Sequence, residues 1–62
     1  MKAGEKVMVY LDPFTCERPE GRATLLKKGD AAPMNEVSYW LVRFDGDIDT
    51  RAKYWRWVKE TA

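Results

Sequence analysis

Residues 37–44 (VSYWLVRF), followed directly by Asp45-Gly46, are the clearest strand signal in the chain. The segment is rich in β-branched and aromatic residues, which favour strands. Asp-Gly is a strong hairpin signal because the tight turn requires positive φ. The sequence therefore predicts a hairpin over residues 37–52. Its register stays open, because loops of two and of four residues turn opposite faces of the second strand toward the first.

Two more strands are predicted upstream of this hairpin. The first is residues 7–11 (VMVYL), which end at an Asp-Pro pair because proline lacks a backbone donor. Alternation places Val7, Val9 and Leu11 on one face, which we expect to be core. After a polar loop at 12–20, residues 22–28 form a second strand with Ala23 and Leu25 on one face. A second loop spans 29–36.

Residues 50–60 (TRAKYWRWVKE) allow two interpretations. Their apolar positions fall near helical spacing, and several are good helix formers. The alternative is a strand that ends at Ala52, a 3₁₀ turn near residues 53–55 and a last short strand at 56–60. We favour the second, because four strands still need a partner for the open edge.

The order of these elements resembles the small five-stranded barrels of the Src-homology-3-like class, which includes Tudor-type and KOW-type modules. The similarity lies in four segments: 9–12 (VYLD), 25–30 (LLKKGD), 39–43 (YWLVR) and 54–59 (YWRWVK). Residues 40–47 (WLVRFDGD) are also similar to the strand and acidic turn of Tudor-type barrels. The resemblance implies an all-β, partly open barrel formed by residues 1–62 as one domain. The alternative fold is a three- or four-stranded antiparallel sheet with a C-terminal helix.

The chain carries more aromatic rings than a small core can hold. It has 62 residues with three Trp, three Tyr and two Phe, and so short a domain buries only about 60% of the surface that its unfolded chain exposes. Some rings must therefore reach the surface and form a binding face. The resemblance places Tyr10, Trp40 and Tyr54 where related barrels bind proline-rich peptides. The predicted protein-binding residues are Tyr10, Phe14, Trp40, Tyr54 and Trp55, and the partner is another protein or a second copy of the chain.

Nucleic-acid binding is the main alternative. Arg51, Lys53, Arg56 and Lys59 alternate with aromatic residues, and residues 50–59 contain no acidic side chain. Cations attract phosphates and rings stack on unpaired bases, so a single strand or RNA is the expected ligand, in a phage, plasmid or other mobile-element setting. The net charge of only +1 argues against a dedicated non-specific binder.

The sequence argues against a self-contained active site. It has no histidine, and its one cysteine, Cys16, has no imidazole partner. Asp45, Asp47 and Asp49 alternate like the first ligands of a calcium loop, but that loop's glycine and bidentate glutamate are missing. We therefore predict no enzyme, cofactor or metal, and keep an enzyme formed only by oligomeric assembly as a second alternative. Cysteine usage and the lack of a long apolar run predict a cytoplasmic protein.

Overall fold

The computed structural model describes residues 1–32 and 36–60. Its strands form one antiparallel sheet, strongly curled into a half-barrel, in the order β1-β2-β3-β4. The strands are β1 (Lys6–Asp12), β2 (Glu17–Lys28), β3 (Val37–Phe44) and β4 (Tyr54–Lys59). Within these described residues there is no helix, and hence none long and apolar enough to cross a membrane. The predicted all-β class is confirmed.

The core lies on the inner, concave face of the sheet. Its buried residues are Val9, Ala23, Leu25, Trp40, Val42 and Val58. Alternation explains this set, because Trp40 and Val42 lie two residues apart on β3, and their partners across the sheet point to the same side. Ala23 and Leu25, which were predicted to share one face of the second strand, are both buried.

Leu11 was expected in the core and is instead 63% exposed. A bulge follows Val9, where the pairing of β1 with β2 changes register. Beyond it Leu11 lies opposite a part of β2 that β3 no longer covers, because β3 begins to pair with β2 only at Ala23. Among the described residues no further strand pairs with this end of the hairpin, and the leucine stays in contact with solvent.

The first predicted loop is shorter than expected, because β2 begins at Glu17. Pro19 lies within β2, opposite Tyr10. It is tolerated because this part of β2 pairs only with β1, so no second ladder requires the missing N–H. Of the second predicted loop, 29–36, residues 33–35 lie outside the described residues.

The expected fifth strand and the 3₁₀ turn are not found among the described residues. Residues 45–53 form turns, and β4 then pairs directly with β3 along its whole length. Aspartate side chains explain the turns: Asp47 Oδ1 accepts the Asp49 N–H at 3.0 Å, and Asp49 Oδ1 accepts the Arg51 N–H at 2.9 Å. Such local hydrogen bonds compete with a strand ladder. The alternative of a C-terminal helix is wrong, because residues 54–59 are β4.

Candidate functional site

Trp40, a predicted surface anchor, is a core residue. It is 4% exposed, and its Nε1 donates a hydrogen bond of 2.8 Å to Ser38 Oγ. Ser38 and Trp40 lie two residues apart on β3, so both point inward, and the hydroxyl satisfies the only polar atom of the indole. Trp40 is therefore not available to a partner in this structure.

An apolar groove, here the edge groove, lies between the end of the β1–β2 hairpin and the outer edge of β4. Its volume is about 350 Å³. Leu11, Phe14 and Trp55 are large apolar side chains that stay 63%, 46% and 41% exposed there. The remaining lining residues are Tyr10, Pro13, Glu20, Arg56 and Trp57. Three of the predicted anchors, Tyr10, Phe14 and Trp55, thus come together.

Charged side chains hold the two walls of the edge groove to each other. Arg56 makes a bidentate pair with Glu20, with Nε–Oε1 at 2.9 Å and Nη2–Oε2 at 3.0 Å. These hydrogen bonds raise the pKa of Arg56 above its ordinary value. Lys59 Nζ also donates to the Phe14 carbonyl oxygen at 3.3 Å. The hairpin end is therefore tied to β4 at two points.

Among the described residues, no strand pairs with β4 on the side of this groove. Residues of an antiparallel strand alternate between bonding to one neighbour and to the other. The Glu60 N–H donates to Glu36 O on the β3 side, so Trp55, Trp57 and Lys59 direct their backbone groups away from β3. Consistent with this, the Trp55 carbonyl accepts a 2.9 Å hydrogen bond from Nη1 of Arg56 instead of from a strand. The groove therefore contains an open strand edge.

Tyr54, another predicted anchor, points away from the edge groove. Its neighbour Trp55 lines the groove, and adjacent strand residues face opposite sides. Tyr54 instead lines a separate cleft of about 500 Å³, the mouth cleft, together with Phe44 and Asp47. Its hydroxyl donates to Asp47 Oδ2 at 3.1 Å, which raises the pKa of the phenol. The guanidinium of Arg56 lies 5.2 Å from the Tyr54 ring centroid, so the chain's own cation already occupies this ring.

The outer face of the sheet carries a second aromatic cluster. Tyr39 stacks on Trp55 with ring centroids 5.1 Å apart and an angle of 13°, and it contacts Trp57 at 5.0 Å. Gly29 lies directly against this stack: a Cβ on it would stand 2.7 Å from Tyr39 Cδ2 and 3.1 Å from Trp55 Cζ3. Only a glycine leaves the rings where they are.

The four basic residues of the nucleic-acid alternative do not form one free patch. Arg56 is paired with Glu20, and Lys59 reaches the hairpin carbonyl of Phe14. Arg51 and Lys53 are exposed but lie in the turn before β4.

The acidic residues of the turn serve the fold. Asp45 accepts hydrogen bonds from Lys6 Nζ at 2.8 Å and Thr24 Oγ1 at 3.2 Å, and the lysine lowers the pKa of the carboxyl. The other two carboxylates of the turn accept backbone amides. Among the residues that the structure describes, no cluster of three or more potential metal ligands occurs. Cys16 is exposed, with its sulfur near the Pro13 carbonyl.

Trp57 and Leu11 are groove residues that the sequence analysis did not assign. The signal for Trp57 is its spacing of two from Trp55, which places both on the same side of a strand. Leu11 lies near the end of its strand, beside Asp12-Pro13, where another strand is least expected to pack over the side chain. Neither signal identifies a groove residue unless the pairing register of the strands is known.

The fold and its surfaces define a small curled β domain with an open edge and exposed rings. The chain matches no protein-family model, no curated protein and no solved structure at significant similarity. Its function is therefore argued from the geometry of these surfaces.

Proposed function

We propose that the chain is a non-enzymatic binding module whose edge groove takes up an extended segment of another protein. The single observation that carries the proposal is the exposure of Leu11, Phe14 and Trp55 around one apolar groove. Burial of such side chains is worth roughly 25 cal/mol per Å² before the costs of association. Two flat rings and a leucine supply the anchors that protein interfaces concentrate at their centres.

The open edge of β4 supports an extended partner. In the part of the chain that the structure describes, the outward backbone groups of Trp55 and Trp57 have no strand neighbour, and a peptide laid along them would add a strand to the sheet. The partner would thereby supply a fifth strand, the number found in the Src-homology-3-like barrels that the sequence resembles. Side chains at alternate positions of the partner would then enter the groove.

Charge makes a partner of acidic and apolar residues the best fit. Residues 50–59 carry four positive charges and no negative one. Arg56 is paired with Glu20, so the excess positive charge of this segment comes from Arg51, Lys53 and Lys59, which flank the groove residues of β4 along the chain. Two copies of β4 placed edge to edge would bring these like charges together, which is unfavourable. A different protein is therefore favoured over a second copy.

The test is selection of peptides from a randomised displayed library on the immobilised chain. We expect enriched sequences that combine apolar with acidic residues, and about tenfold or greater weakening by Leu11→Ser or Phe14→Ser, as truncation of a central anchor gives. Ile48→Ser is the matched control, because Ile48 is a fully exposed apolar residue outside the groove. Failure to enrich any sequence, or equal loss in the Ile48 variant, would refute the proposal.

Sedimentation of the free chain tests self-association separately. If the wild type forms dimers and Phe14→Ser makes it monomeric, the occupant of the groove is a second copy. A wild type that stays monomeric leaves the groove to a different protein.

A further inference from the structure

Basic side chains are concentrated where β2, β3 and β4 pair with one another. The paired segments are residues 23–28, 37–44 and 54–59, and they contain five charged side chains, all of them basic. The acidic residues of the strands, Asp12, Glu17 and Glu20, lie in the β1–β2 hairpin beyond these segments. The net charge of +1 for the whole chain therefore conceals a positive region of the sheet.

The register places most of this charge on the outer face. Thr24 pairs with Arg43, and Lys27 pairs with Leu41. Partners directly opposite one another point to the same side, which is the side away from the buried Trp40 and Val42. The basic residues on the outer face are Arg22, Lys27, Arg43 and Lys59.

Lys27 and Arg43 are available to a ligand. Both are exposed, and neither forms a salt bridge in the part of the chain that the structure describes. Arg22 is also exposed but interacts electrostatically with Asp45, and Lys59 donates to the Phe14 carbonyl oxygen. Lys27 and Arg43 therefore supply the positive charge of the outer face that a ligand can reach.

The stacked rings lie on the same face as these cations. Tyr39 lies two residues from Leu41 on β3, and Trp55 is the partner of Leu41 on β4. Both rings therefore point to the same side of the sheet as Leu41. Trp55 is 41% exposed although it stacks on Tyr39, so part of the indole remains open to solvent. An aromatic platform among cations can stack unpaired bases while the cations contact phosphates.

We propose that the outer face of β2, β3 and β4 binds single-stranded nucleic acid, with a base on Trp55 and phosphates at Lys27 and Arg43. This goes beyond the edge groove, since it uses cations of β2 and β3 and another class of ligand, and it shares only Trp55 with the groove. Unpaired bases are required because paired bases cannot stack on a side-chain ring without leaving the duplex. The residues differ from those expected from the C-terminal segment alone, because β2 and β3 supply the free charge.

Fluorescence anisotropy with labelled oligothymidylate and oligouridylate of about 20 nucleotides tests the proposal, across about 50–300 mM NaCl. We expect single strands to bind more tightly than a duplex of equal length and to quench tryptophan fluorescence. The log–log salt slope should be near −0.7 per contacted phosphate.

The Lys27→Glu/Arg43→Glu variant should lose about tenfold or more in affinity and flatten the salt slope by about 0.7 unit per lost contact. Arg51→Glu/Lys53→Glu is the matched control, because it makes the same charge change at exposed positions outside the sheet. Trp55→Phe should keep the fold and reduce quenching, as checked by circular dichroism.

Three results would overturn the proposal: no oligonucleotide binding at the lowest salt, equal affinity for duplex, or equal loss in the control variant. Competition with poly-L-glutamate distinguishes binding that depends on base stacking from binding of any polyanion. If poly-L-glutamate competes as well as an oligonucleotide of equal charge, the face is an acidic-protein surface and nucleic acid is excluded.

Discussion

Gly29→Ala is expected to destabilise the domain through its contact with the stacked rings of Tyr39 and Trp55, chiefly that of Tyr39. The new Cβ would stand 2.7 Å from Tyr39 Cδ2 and 3.2 Å from the Tyr39 carbonyl oxygen. Carbon atoms in contact normally lie about 3.5–4.0 Å apart, so the ring must move by roughly 1 Å. That movement disturbs the stack with Trp55 at 5.1 Å. Backbone strain plays no part, because Gly29 is not among the glycines with left-handed φ.

The magnitude follows from two opposing terms. Overpacking costs about 1–3 kcal/mol, while the loss of backbone freedom in the unfolded chain returns about 0.4–1 kcal/mol. We therefore expect a net loss of about 1–2 kcal/mol, which lowers the Tm of so small a domain by roughly 5–15 °C. Urea unfolding followed by circular dichroism measures the change in free energy directly.

A double-mutant cycle with Tyr39→Ala isolates the cause. Without the ring the closest contact disappears, so Gly29→Ala should cost at least about 1 kcal/mol less in that background. Gly46→Ala is the control: nothing lies within 4 Å of its Cβ position, so it should be neutral or stabilise by up to about 1 kcal/mol. A Gly29→Ala protein as stable as wild type, or the same cost in both backgrounds, would refute the reasoning.

Two further predictions concern the core and the mouth cleft. Trp40→Ala should cost about 3–5 kcal/mol and leave the chain largely unfolded at 25 °C; a native circular dichroism spectrum would contradict the core position of Trp40. Asp47→Asn should lower the pKa of Tyr54 toward its ordinary value, because the hydrogen bond from the phenol to Asp47 raises it. Since the folded pKa is the higher one, this contact contributes stability below about pH 10 and loses it as pH rises through the folded pKa. Ultraviolet titration of the phenols measures the shift, and an unchanged titration curve would refute it.

The strands were largely predictable because their signals are local. Residues 37–44 combine β-branched and aromatic residues with a following Asp-Gly, and β3 has these same bounds. Ala23 and Leu25 are buried as period two requires. The long turn at 45–53 was missed because the sequence suggested a tight hairpin, whereas aspartate side chains bond to amides two residues onward.

Which aromatic rings are buried and which are exposed could be predicted only in part. Their surplus indicated exposed rings, and Tyr10, Phe14 and Trp55 do line one groove. Whether Trp40 or Trp55 is buried depends on which face of each strand turns inward, and bulges and strand ends control that over long range. Tyr54 and Trp55 line different clefts, which is typical of neighbours in a strand because they face opposite sides.

The exposed rings follow from the architecture of a single curled sheet. Its inner face is filled by Trp40, by Phe44 packed against the core, and by smaller side chains such as Ala23 and Val42, so that face has little room for a second indole. The outer face, where Trp55 stacks on Tyr39, has no second sheet layer among the described residues. Because β4 is also an open edge, Trp55 borders both the edge groove and the outer face. A groove peptide and a single strand that each contact this indole must therefore influence one another's binding.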